Sequence, residues 1–284
     1  MTSSAVAEGV EGSDVPPREI TLDITDGIAT ITLNRPDAGN ALTGDQRESI
    51  ISWLDQFNED PTIRCVVLTA TGRFFCTGAD LRNQAAGPVR PDDVPEKLVG
   101  DVRRNMTRGA IRLIHSILDC EKPVVAAVNG TAAGIGAHIA FACDIVIATE
   151  KAKFIEVFAR RGLAADGLGT WLLPRLVGLA RARELILLAE DLPAARAAEI
   201  GLITRAVPAD EFAATVAGIA GRLAEGPTRA HSVNKWLLNR SLDTDRHSLA
   251  QEEAWIVDVM SNTVDAGEGV ASFVERRPTR FRGY

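Results

Sequence analysis

The sequence has little of what several protein classes require. Its four cysteines, at positions 65, 76, 120 and 143 of 284 residues, form no CxxC pair and no Cys/His cluster, which argues against a zinc site. Three of them stand in apolar runs and read as buried free thiols of a reducing cytoplasm. No apolar run approaches the roughly 18 residues that a bilayer span needs. The opening MTSSAVAEGVEGSDVPP has neither a basic start nor an apolar stretch, so it is not a secretory signal or an Arg-rich transit peptide. Residues 1–19 therefore read as a disordered tail. Positive charge is in deficit, with 31 Lys and Arg against 38 Asp and Glu and a formal charge of −7. That argues against a nucleic-acid partner, which would need a basic face. Neither GxGxxG nor GxxxxGK[ST] occurs, so a nucleotide-binding glycine loop is a poor fit. A cytoplasmic globular protein with neither nucleic acid nor membrane as partner is expected.

What is present is periodicity. REITLDITDGIATITLNRP alternates apolar and polar residues on both sides of Asp26 and Gly27, the pattern of a tight β-hairpin. Thr43 and Gln46 stand at capping-box spacing before a helical face of Ile50, Ile51, Leu54 and Phe57. Residues 65–70, 123–129 and 144–149 are short apolar runs of the kind found in parallel strands covered on both faces. Helical patterns separate them, which predicts an α/β fold. After Lys151 the pattern is helical almost throughout, apart from a strand-like run at 202–207. The chain divides into the tail, a core over 20–208 and a helical region over 209–284. Residues 83–97, rich in Pro, Asp and Gly, read as a mobile loop. Arg276, Arg277, Arg280 and Arg282 beside Phe273 and Phe281 form a basic C-terminal patch that reads either as a phosphate contact or as a solvated tail.

Two glycine-containing segments, FFCTGAD at 74–80 and NGTAAGIGAH at 129–138, each follow a strand run. Each exposes backbone amides at small residues, and the second leads straight into a helix, whose first N–H groups lack partners and favour negative charge. Two such amides from separate loops would hold a developing oxyanion. The plainer reading is that the glycines permit close packing of helix on strand.

Taken in order, IATITLNRPDAGNALT, FCTGADL, NGTAAGIGAHIAFACDI, AKFIEVFARRGLAADGLGTWLLPRLVG, AAEIGLI and EGVASFVERRPTRF resemble the crotonase, or enoyl-CoA hydratase/isomerase, superfamily over residues 20–281. The resemblance implies a spiral of ββα turns followed by a C-terminal helical trimerisation region, as a homotrimer or a dimer of trimers. It implies an acyl-CoA or enoyl-CoA substrate, with coenzyme A part of the substrate and no separate cofactor. The oxyanion amides would be those of Ala79 and Ile135. Ala41 and Arg82 would contact coenzyme A, and Phe273 and Arg276 would reach that of a neighbouring subunit.

The sequence also departs from the family. Hydratases of this kind use two glutamates, and the matching positions carry His138 and Phe158, so ordinary hydration is in doubt. Glu156, two residues before Phe158, is expected to point away from it if the segment is helical, and reads as solvated or capping. Asp166, in GLAADGLGT, matches the aspartate of isomerase-type and dehalogenase-type relatives; burial among its apolar neighbours would strengthen it as a base. It reads alternatively as an Asx-turn or helix N-cap. His138 is a second candidate for proton transfer or a packed core histidine. Asp80 and Asp144 read as structural, and His115, His231 and His247 as surface or packing residues. The expected activity is isomerisation of an acyl-CoA double bond with Asp166 as proton carrier. Weak hydration through His138, hydrolysis of a thioester or C–C bond, and acyl-CoA binding without turnover are its rivals. The acyl group is left open, with the 83–97 loop, Met106, Trp171 and Phe158 expected to shape its pocket.

Overall fold

The structure, a computed structural model, describes residues 18–82, 91–95 and 98–284. The expected tail lies almost wholly outside the described residues, and so does most of the 83–97 loop. Strands β1 (Ile20–Thr25) and β2 (Ile28–Leu33) form the predicted antiparallel hairpin, turning at Asp26 and Gly27. The alternation of β2 buries Ala29, Ile31 and Leu33. Helix α1 (Gly44–Glu59) starts with the expected capping box: the Thr43 hydroxyl accepts from the Gln46 amide, and the Gln46 side chain accepts from the Thr43 amide. Its buried face is Ile50, Ile51, Leu54 and Phe57. Thr43→Ala, which removes the hydroxyl half of that box, should cost about 1 kcal/mol, read as a lower midpoint of urea unfolding at unchanged slope.

The apolar runs become β3 (Cys65–Ala70), β5 (Val124–Val128) and β7 (Ile145–Thr149), all parallel. Between them the chain makes short strands of a second layer: β4 (Phe74–Cys76), β6 (Thr131–Ala133) and later β8 (Lys153–Ile155). Helices α2 (Asp101–Met106) and α3 (Arg112–Leu118), joined by a π-helical turn at Thr107–Ile111, close one strand–strand–helix unit. Helix α4 (Ile135–Ala142) closes the next and α5 (Gly169–Leu188) the third. With β9 (Leu192–Pro193), α6 (Ala194–Glu199) and β10 (Arg205–Val207), the sheets run β1-β2-β3-β5-β7-β10 and β4-β6-β8-β9. This is the expected spiral. The sequence reading missed the three-residue strands because they are too short to establish a period of two. Its almost wholly helical account of the chain after Lys151 is corrected at β8 and β9.

Ile31, Ile50, Ile51, Leu54, Ile63, Leu113, Ile114 and Ile117 are fully buried in the main core. Helix α7 (Ala209–Ala224) covers the other face of the large sheet, where Ala220 and Ala224 pack on Cys65, Val67, Val125 and Ala127. Helices α8 (Thr228–Arg240), α9 (Arg246–Met260) and α10 (Val264–Glu275) follow. Lys235 pins α8 to the spiral through Ile117 O and Asp144 Oδ2, both at 2.9 Å, while Asp144 accepts from the Val124 amide at 2.7 Å. Asp144 is thus structural, as expected. All four cysteines are buried and unpaired.

The C-terminal patch is not simply a solvated tail. Asp265 accepts from the amides of Arg282 and Gly283, and Arg64 donates to Phe281 O and Thr228 Oγ1. Arg277 is paired with Glu268 and Glu275. No helix among the described residues is long and apolar enough to cross a membrane.

Candidate active site

Parallel pairing of β4 with β6, Phe74 opposite Thr131 and Cys76 opposite Ala132, sets the two glycine-containing loops side by side at the same end of the small sheet. Gly134 links β6 to α4 at φ 54° and ψ −128°, a conformation that a side chain would oppose. Ile135 is therefore the first residue of α4, and its amide is one of those with no intrahelical acceptor. Across the gap, the Leu42 amide donates to Gly78 O at 2.8 Å and Leu42 O accepts from the Asp80 amide at 2.9 Å. This one-residue parallel bridge turns the Ala79 amide away from Leu42. No backbone acceptor is found for either amide among the described residues.

The loops touch. A Cβ on Gly136 would lie 2.3 Å from Cys76 O, so close packing is part of what this glycine provides. Asp80 braces the first loop: Oδ1 accepts from the Arg82 amide at 2.9 Å, and Oδ2 pairs with Arg35 at 2.9 Å. Arg35 also donates to Ala41 O at 2.8 Å, which leaves that carbonyl one free lone pair. The Arg82 side chain is exposed, as are Phe273 and Arg276 at the end of α10.

Behind the loops lies a buried pair. His138 is wholly enclosed, and its Nε2 stands 3.0 and 3.1 Å from the two carboxylate oxygens of Glu156. The solvated or capping role expected for Glu156 is corrected here. The chain is extended through β8, which ends at Ile155, and turns at Phe158, so the helical period of 3.6 does not apply here. Phe154, Glu156 and Phe158 all turn inward, at 2%, 5% and 7% exposure. Phe158 stacks on the imidazole with ring centres 5.5 Å apart. The signal was legible in FIEVF, whose alternation suits a strand.

Asp166 is half-buried, in the loop whose Gly167 and Gly169 pack against His138. Its side chain has no hydrogen-bond partner among the described residues, and α5 begins at Gly169 behind Leu168 with no side-chain cap, so the N-cap reading is corrected. Burial pushes the Asp166 carboxyl above the usual range; His138 opposes that shift and Glu156 reinforces it. The loop lies flat on the ring: a Cβ on Gly169 would fall 2.2 Å from His138 Cε1, and one on Gly167 3.4 Å from Nδ1.

The family model for enoyl-CoA hydratase/isomerase matches residues 23–284. The chain belongs to the enoyl-CoA hydratase/isomerase family. It is 38% identical over 264 residues to a Rhodobacter capsulatus protein named "Probable enoyl-CoA hydratase", covering 93% of this chain and 98% of that one. It is 36% identical to the 1,2-epoxyphenylacetyl-CoA isomerase of Escherichia coli, covering 90% and 95%. Among solved structures, the enoyl-CoA hydratase of Bacillus anthracis superposes with a TM-score of 0.85 at 30% identity, covering 94% of this chain and all of that one. As a member of this family the protein is an enzyme acting on acyl-CoA, and its fold is the crotonase fold. In this chain Trp171, five residues beyond Asp166, lines a cavity of about 330 Å³ with Leu118, Leu168 and Trp236 and with the polar Asp119, Arg240 and Asp243.

Proposed function

We propose that this enzyme shifts a double bond within an acyl-CoA, with Asp166 carrying the proton. The amides of Ala79 and Ile135 hold the thioester oxygen. Asp166 removes a proton from the α-carbon of a β,γ-enoyl-CoA, and the electrons move into a dienolate whose oxygen charge those amides stabilise. Protonated Asp166 then returns the proton at the γ-carbon, leaving the α,β-enoyl-CoA and the starting carboxylate. The observation that carries this reading is a half-buried aspartate with no hydrogen bond to restrain it, in a site where Phe158 and buried His138 stand at the two hydratase positions. A double-bond shift needs one proton carrier and no water, whereas hydration needs water delivered to the acyl chain.

The 36% identical relative named for isomerisation of an aryl epoxide supports an isomerase reading and makes aryl-acetyl thioesters sensible substrates. The apolar wall that Leu118, Leu168, Trp171 and Trp236 give the neighbouring cavity is suited to the acyl end. Arg82 and Ala41 would meet coenzyme A, and exposed Phe273 and Arg276 would reach that of a neighbour in a homotrimer or dimer of trimers.

The test is a panel of straight-chain and aryl β,γ- and α,β-enoyl-CoA thioesters, followed by mass spectrometry and a thiol reagent. Conjugation without a change of mass is expected. Gain of one water would favour hydration, release of free coenzyme A would favour hydrolysis, and tight binding with no change would favour a binder; each of these overturns the proposal.

A further inference from the structure

We propose that Trp171 sets the length of acyl group this enzyme accepts. Its indole partitions two cavities, so a compact acyl end, aryl for preference, is taken and a long straight chain is refused. Arg175 is the positioning residue that holds the indole in place. The inference rests on the reading above that the acyl end enters the cavity beside Leu168. That cavity, of about 330 Å³, lies at the small end of the ~300–1,000 Å³ usual for ligand pockets. A second cavity of about 420 Å³ is walled by Phe141, Leu172, Leu176, Leu238 and Leu242. Leu118, Trp171 and Asn239 line both, so these three side chains form the wall that the cavities share. Asn239 is tied into that wall by donating to Leu118 O at 3.0 Å; the indole is its largest member.

Trp171 and Arg175 stand four residues apart in α5 and therefore on one face of it. The guanidinium carbon lies 4.1 Å from the indole centre, where a cation is attracted to the ring face. Arg175 Nη1 donates to Trp171 O at 3.2 Å, and Nη2 donates to Asp243 Oδ1 at 2.6 Å. Asp243 belongs to the connection between α8 and α9. Arg175 lines the larger cavity and Asp243 the smaller, so their ion pair crosses the same wall as the indole. A partly exposed pair of this kind adds little to stability; what it does here is fix a ring. Trp236, with Arg240 over its ring at 5.7 Å, gives the smaller cavity a second indole. Aromatic surfaces favour a flat aryl group beyond the area it buries.

The test is a length series of β,γ-enoyl-CoA thioesters from butenoyl to hexadecenoyl, together with styrylacetyl-CoA, which ends in a phenyl ring. In the wild type, kcat/KM for hexadecenoyl-CoA should fall below that for styrylacetyl-CoA by at least roughly tenfold. Trp171→Ala joins the cavities, and the ratio of long-chain to short-chain kcat/KM should rise by at least roughly tenfold. Arg175→Ala leaves the indole but unpins it, so a smaller rise is expected. Arg175→Lys keeps a cation over the ring and should stay nearer the wild type. Loss of stability alone would lower the rates for all chain lengths together and leave the ratio unmoved.

Calorimetric binding of saturated thioesters from butyryl-CoA to palmitoyl-CoA, which have no double bond to shift, reads the same order without turnover. If Trp171→Ala does not fold, Trp171→Leu carries the test. A wild type that takes hexadecenoyl-CoA as readily as styrylacetyl-CoA, or a length order unmoved in the Trp171 variant, overturns the inference and leaves the double-bond shift intact. Failure of every thioester to isomerise overturns the proposed reaction, and the binding order then still decides whether Trp171 sets the length.

Discussion

Asp166→Asn is expected to lower kcat for conversion of a β,γ-enoyl-CoA to its α,β isomer by about 10²- to 10⁴-fold, with KM nearly unchanged. The amide has the shape of the carboxylate but cannot accept the α-proton. In the proposed reaction, binding would rest on the two loop amides and on coenzyme A contacts, none of which the change touches. In the wild type, activity should decline on acidification above the ordinary aspartate range, because burial, only partly opposed by His138, raises the pH at which Asp166 becomes protonated. The check is a pH series of kcat/KM for both proteins, with exchange of the α-proton for deuterium as a second readout. A variant that isomerises and exchanges at the wild-type rate would show that another group moves the proton.

Gly136→Ala should have the next largest effect. Its new methyl would lie 2.3 Å from Cys76 O and 2.8 Å from Cys76 Sγ, where main chain cannot yield cheaply. Overpacking of this kind costs about 1–3 kcal/mol, occasionally more. It would also wedge apart the loops bearing Ala79 and Ile135, and loss of one oxyanion donor costs about 10²–10³ in kcat. Gly218→Ala in α7, where nothing lies within 4 Å of the added carbon, is the control and should be neutral or slightly stabilising. A Gly136→Ala protein that is less stable yet turns over normally would mean that the two amides do not act on one oxygen.

The legibility of this fold follows element length. The hairpin, the capped α1 and the strands β3, β5 and β7 each carry five or more periodic residues, enough for side-chain alternation or burial to declare itself. The second layer does not, since β4, β6 and β8 are three residues each and are defined by pairing to one another. That layer positions the candidate site, whose residues were named through family resemblance more than through periodicity. Asp166 was visible as a polar residue among apolar ones, but its freedom from capping depends on α5 starting at Gly169 behind a left-handed Leu168, which no local rule predicts. Glu156 was misjudged because the helical period was assumed for a segment that leaves a strand at Ile155 and turns at Phe158. Its partner is 18 positions away in sequence, beyond the reach of any window.

The enclosed sulfurs bear on how turnover can be followed. Burial pushes the Cys76 thiol up to about 11 and the Cys65 thiol up to about 12, and Cys120 and Cys143 move the same way. At neutral pH the folded enzyme thus offers almost no thiolate of its own, so a chromogenic disulfide added during reaction responds to liberated coenzyme A and stays silent towards the protein.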